Sequence, residues 1–175
     1  MNSLSKLSTG RNIIILLVLF LFANFVLIPA VYPKFETLDT KFSYSPREAY
    51  SLLSSYGEQG RKAYLVVELT LDIIYPLVST FLFSLAILYT FQRAFPAKEG
   101  LHKLALIPFG ILVADYLENA CVATMLLSYP RELPILAQVS NIFTVIKFAL
   151  TPFELLVFIG LIGWFIQSIH SRRRN

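Results

Sequence analysis

Six ionisable side chains interrupt long apolar stretches of this 175-residue sequence: Glu68 and Asp72, Asp115 and Glu118, Lys147 and Glu154. Asn24, Tyr75, Tyr116, Asn119, Thr144 and Thr151 accompany them. A charged residue at mid-membrane costs about 2.5–3.5 kcal/mol on insertion scales, so a group of them calls for a shared, protected site. Their spacing is helical. Glu68, Asp72, Tyr75 and Ser79 step i, i+4, i+7, i+11 along one face. Asp115, Glu118 and Asn119 share a second face, and Thr144, Lys147, Thr151 and Glu154 a third. Three polar stripes on apolar helices are expected to turn toward one another and away from lipid.

Five carboxylates against one lysine would leave a net −4 in a poorly solvated space if all were ionised. Lys147 is expected to pair with Asp72 or Glu118, leaving at least one neutral carboxylic acid beside it. Such an acid could serve as a general acid, a proton relay or a cation site. Asp72, Asp115, Glu118 and Lys147 are therefore the candidate catalytic residues, and Asn24, Glu68, Tyr75, Asn119, Thr151 and Glu154 the candidate substrate contacts. The plainer reading is that polar side chains between membrane helices are hydrogen-bonding glue, averaging ~0.6 kcal/mol each, and it suits Asn24, Thr144 and Thr151 best. Pro76 removes the hydrogen bond to the carbonyl of Asp72, and Pro152 that to the carbonyl of Phe148. A freed carbonyl at membrane depth is tolerated where it lines protein or a wet cavity.

Other chemistries lack their residues. His102 and His170 fall at the ends of the apolar blocks, so no zinc site with histidine, bis-histidine haem or serine–histidine couple can form at membrane depth. Asp115-x-x-Glu118 could hold a hard cation, but the pattern is short and common, so no metal site and no cofactor is expected. Cys121 is alone, which excludes an intrachain disulfide.

The elements that must position these residues follow from composition. Hydrophobic residues make up 56% of the chain and charged residues 15%, against about 45–50% and about 25% in soluble domains; the mean hydropathy is +0.65. A soluble enzyme, a disordered chain and a disulfide scaffold are excluded. Four blocks are long enough to span a bilayer, at 13–31, 64–91, 104–127 and 142–166, the last with an earlier start open because Pro134 suits a first helical position. The first block follows Lys6 and Arg11 as a signal peptide would, yet it exceeds the usual apolar core of one, and a retained helix is expected. The fold class is all-α: a single-domain, four-helix transmembrane bundle.

Lysines and arginines set an orientation. The N-terminus, second loop and tail carry eight (Lys6, Arg11, Arg93, Lys98, Lys103, Arg172, Arg173, Arg174), and the first and third loops six. Both termini are expected in the cytoplasm of a cell-membrane protein, with no nucleic-acid partner. In that orientation Asn24, Asp72, Glu118 and Lys147 lie about 10, 12, 14 and 8 Å below the outer edge, at 1.5 Å per residue. Asp115 and Glu154 form a second layer near the centre. In the first loop, outside the cytoplasm, Ser45-Pro46-Arg47-Glu48 has the form of a capping box, and Ala49, Leu52, Leu53 and Tyr56 share one face before Gly57. A short amphipathic helix over 46–56 is predicted, either capping the bundle or acting as a lid.

In size and layout, with four helices, a helical first loop and a basic tail, the chain resembles the EXPERA group of sterol isomerases and the sigma-2 receptor. Glu68 followed by Pro76 in the second span is similar to that group, whereas the stretch Asp115 to Asn119 and Lys147 are not part of its pattern. The resemblance implies a layout and no residue roles. The residues themselves lead to a pocket that binds or acts on a lipid or isoprenoid-like molecule by acid–base chemistry. A proton-coupled transporter or lipid-receptor-like protein is the alternative, and a structural helper subunit the next. A transporter of this size would be expected to act as a homo-oligomer.

Overall fold

The structure, a computed structural model, describes residues 2–32 and 34–172, and among these it is helical without a strand. Four helical stretches are long and apolar enough to cross a membrane: Gly10–Val31, Gly57–Ala94, Glu99–Ser128 and Pro134–Glu154. The chain is thus all-α and multi-pass. Arg173 and Arg174 of the basic tail lie outside the described residues, as do the side chains of His170 and Arg172.

Helix α1, Gly10–Val31, begins three residues before the expected Ile13 because Thr9 caps it, its hydroxyl accepting from the Asn12 N–H at 3.3 Å. Among its residues only Ala23 is buried, and Phe25 is 77% exposed, as a helix facing lipid requires. A π-helical turn at Ala23–Leu27 carries Asn24, whose amide donates to the carbonyl of Phe20 at 2.8 Å.

The expected capping box is present. Helix α2, Pro46–Ser55, starts with Ser45 and Glu48 bonded to each other's backbone, and Ala49, Tyr50 and Leu53 are buried. These side chains form one core with Leu38, Tyr44, Tyr64, Val122, Met125, Leu126 and Ala137. The apolar face of α2 is therefore engaged in closing the bundle end, which is the cap reading and not the lid reading. Gly57, at φ 63°, turns the chain in the left-handed region straight into α3, Gly57–Glu68. The helical stretch read as starting at Tyr64 thus starts seven residues earlier.

The second span also departs from expectation by breaking. Helix α3 ends at Glu68 and α4, Leu71–Ala94, begins after Thr70. Here the Thr70 hydroxyl, at 2.5 Å, takes the Val66 carbonyl that its N–H would take in a continuous helix, while the N–H turns to Val67 at 3.1 Å. Glu68 and Asp72, expected on one unbroken face, sit on opposite sides of this step.

Helix α5, Ile107–Ser128, follows a 3₁₀ turn at Lys103–Leu106, and α6 runs from Pro134 to Arg172, taking up the early start that its proline allowed. α5 packs chiefly on α6, and α4 touches α1, α5 and α6. At the end remote from α2, Ile87, Leu88 and Ala105 are buried together, and the hydroxyls of Ser8 and Ser84 bond the carbonyls of Leu85 and Ala105.

Candidate functional site

Helix geometry places two carboxyls of α5 against one amine of α6. Asp115 and Glu118, three residues apart, share a face, and Lys147 reaches both: Nζ lies 2.9 Å from Asp115 Oδ1 and 2.5 Å from Glu118 Oε2. Glu118 is fully buried, and its Oε1 accepts from the Thr144 hydroxyl at 2.6 Å. Thr144 is one turn before Lys147 on α6, so a single helix supplies both groups that hold Glu118.

The network continues to the first loop. The Tyr44 hydroxyl donates to Ser140 Oγ at 2.8 Å, and the Tyr44 N–H donates to Asn141 Oδ1 at 2.7 Å. Burial pushes the Tyr44 hydroxyl up to about 12, so it keeps its proton and remains a donor at neutral pH.

Of the two partners expected for Lys147, Glu118 is the one found, and Asp72 forms no ion pair with it. Asp115 is the second partner, which merges the two depth layers assigned from residue counts. The cause is reach: a lysine side chain extends across most of a helical turn, so one amine can serve acids three residues apart.

Asp72 is engaged instead through its backbone. Its carbonyl, deprived of a partner by Pro76, accepts from Asn119 Nδ2 at 2.9 Å, and the next carbonyl, of Ile73, accepts from the Tyr116 hydroxyl at 2.6 Å. Third-span side chains thus repair the helix that the proline opens. The polar run Asp115-Tyr116-Leu117-Glu118-Asn119 does two jobs, one on α6 and one on α4.

These groups border a cavity of about 570 Å³, on the scale of a small-molecule site. Asp72, Tyr75, Asp115, Asn119, Lys147, Thr151 and Glu154 all line it, as do Phe20, Ile28, Phe83, Ile111, Leu112 and Phe148. Three other sequence candidates do not. Glu118 is fully buried against Lys147 and Thr144, Glu68 is buried beside Asp39 and Asp72, and Asn24 braces α1 on α4 by accepting from Tyr75 at 3.3 Å. Thr151 lines the cavity but gives its hydroxyl hydrogen to the carbonyl of Lys147 at 2.8 Å.

Sequence reading missed Asp39. It sits on a 3₁₀ turn at Leu38–Thr40 in the first loop, and with Tyr32 and Thr40 it lines the cavity, whereas no residue of 46–56 does. Asp39 Oδ2 accepts from the hydroxyls of Tyr32 at 2.8 Å and Tyr64 at 2.9 Å. Burial, then the Asp39 carboxylate, holds the Tyr32 hydroxyl far above the usual tyrosine range, which keeps it a donor. No helical spacing links a loop residue to a helix face, so no local signal could have found Asp39.

The lining thus holds four acids, Asp39, Asp72, Asp115 and Glu154, and one base, on a mainly apolar wall that also carries Asn119 and several hydroxyls. Such a surface suits an apolar molecule carrying a polar end, and it offers both a charged pair and separate carboxyls for proton transfer. Set against protein-family models, curated proteins and solved structures, the chain matches none.

Proposed function

We propose that this is a membrane protein whose cavity binds a lipid or isoprenoid-like molecule and acts on it by acid–base chemistry. The observation that carries the reading is Lys147, held between Asp115 and Glu118 at the wall of a 570 Å³ cavity that is mainly apolar. In this reading the ion pair orients the polar end of the ligand. Asp72, which lines the same cavity outside the pair, is the proton donor or acceptor. Tyr75, Asn119 and Glu154 shape the polar side, and Phe20, Phe83 and Phe148 receive the apolar body.

The distribution of basic residues supports an orientation with both termini in the cytoplasm of the cell membrane and the cavity toward the outer leaflet. Single cysteines at Ser3 and Ser55, treated with an impermeant reagent in intact cells, check this: Ser55 alone should label. Labelling of Ser3 alone would invert the orientation.

An untargeted comparison of lipids from cells with and without the gene tests the activity. One apolar species should accumulate and a related one should disappear, and the Asp72→Asn protein should fail to reverse the change. Identical lipid profiles in the two cell lines would overturn the enzymatic reading.

A further inference from the structure

No ion pair among the described residues reaches the second acidic group at direct-contact distance. Asp39 from the loop turn, Glu68 from the end of α3 and Asp72 from the start of α4 each bring a carboxylate oxygen within 4.8 Å of the other two. Proximity of acids alone would mean little. Glu68, however, is 1% exposed, and neither of its carboxylate oxygens has a hydrogen-bond partner. Tyr64, one helical turn before it, gives its single hydroxyl hydrogen to Asp39 instead. One oxygen of Asp39 and one of Asp72 are likewise buried without a partner. Three separate elements thus bring together carboxylates that between them hold four buried oxygens without a partner.

We propose that Asp39, Glu68 and Asp72 bind one hard divalent cation of calcium's size. Opposite ligands around such an ion, with metal–oxygen distances of about 2.3–2.6 Å, stand about 4.6–5.2 Å apart. The three carboxylates already lie close enough to share one ion. Oxygen-only donors select a hard cation over zinc or copper. The four free oxygens leave room for water in the remaining positions, and water can arrive through the cavity, because Asp39 and Asp72 both line it. Tyr32 and Tyr64 are the outer partners, fixing the Asp39 carboxylate by its other oxygen. A bound dication would turn a net −3 into −1 and tie the loop turn to the break between α3 and α4, a joint that otherwise concentrates negative charge.

This proposal shares Asp72 with the lipid reading, the carboxylate serving as proton donor or acceptor only in the ion-free state, and it is tested without any lipid assay. Purified protein in detergent, stripped with chelator, is titrated calorimetrically with calcium chloride. Saturable uptake of one ion is expected. Loss of a ligand should weaken uptake at least ~10-fold in Glu68→Gln and Asp39→Asn, loss of an outer partner about 10-fold in Tyr64→Phe, and Glu99→Gln, outside the cluster, should match wild type. A readout on the unmutated protein covers the case in which the variants fail to fold. Terbium, a hard oxygen-seeking lanthanide, should show tyrosine-sensitised emission beside Tyr32 and Tyr64, and calcium should quench it by displacement. Absence of saturable calcium uptake by wild type, absence of sensitised emission, or unchanged uptake by a folded Glu68→Gln variant would each overturn the proposal.

Discussion

Asp115 and Glu118 on α5, and Asp39, Glu68 and Asp72 around the joint of α3 and α4, are the same kind of residue under opposite arrangements. The first two share the Lys147 ammonium at 2.9 and 2.5 Å. The other three share two tyrosine hydroxyls on Asp39 and, among the described residues, no cationic side chain. The difference teaches where charge is fixed by the fold and where it is left open. A lysine on α6 can compensate only acids within its reach, and the break in the second span carries Glu68 and Asp72 to the loop side. One cluster has an amine within contact distance, and the other leaves buried carboxylate oxygens without a side-chain partner among the described residues.

The largest expected effect breaks the closed pair. Lys147→Met strands two buried carboxylates, a loss worth about 3–5 kcal/mol in soluble proteins and less in a membrane, where the unfolded reference also finds partners. Unfolding in mixed micelles should show a loss above about 1 kcal/mol on those scales, and adding Glu118→Gln should restore part of it.

The open cluster should respond with the opposite sign. In chelator, Glu68→Gln should leave stability equal to or above wild type, since it removes a buried carboxyl crowded by two others and breaks no hydrogen bond. A loss as large as that of Lys147→Met would abolish the contrast between the two regions.

The repaired helix comes next. Asn119→Ala should cost about 1 kcal/mol, within the range of measured hydrogen bonds between membrane helices. In a Pro76→Ala background, where the substituted residue's own N–H can serve the Asp72 carbonyl, the same change should cost close to nothing. An equal cost in both backgrounds would mean that Asn119 acts through something other than the freed carbonyl.

The last effect lies outside both clusters. Ser45→Ala should cost about 1 kcal/mol by removing the cap of α2. Glu48 is held below the usual glutamate range by the backbone N–H of Ser45 and then by its hydroxyl. A carboxyl that ionises lower in the folded state adds stability above its unfolded value, about 4.3, and that stability vanishes as the pH falls through the folded value. Hydrogen-exchange protection of residues 46–55 should therefore be flat from about pH 7 to 5 and fall only below that.

Much of this arrangement was legible in the residues. Apolar block length gave four helices, and the capping box gave α2 almost to the residue. The i, i+3 spacing of Asp115 and Glu118 put them on one face, and Pro76 pointed to the unpartnered carbonyl of Asp72. The missing parts have related causes. Lys147's choice between acids and Asp39's approach from the loop are tertiary contacts, and the hydroxyl of Thr70 breaks the second span in a way that apolar block length does not register. Helical periodicity ranks faces, but it does not say which face meets which, nor what a loop brings over the top.

The central claim is that Lys147 with its two acids orients a ligand in the cavity rather than only gluing α5 to α6. Native mass spectrometry of protein released gently from membranes measures this directly, comparing wild type, Lys147→Met and the Lys147→Met/Glu118→Gln double variant. The wild type should carry an apolar molecule of lipid mass. The single variant should lose it, and the double variant should still lack it although part of its stability has returned. A double variant that regains both stability and the bound molecule would contradict the claim and reduce the ion pair to a structural tie.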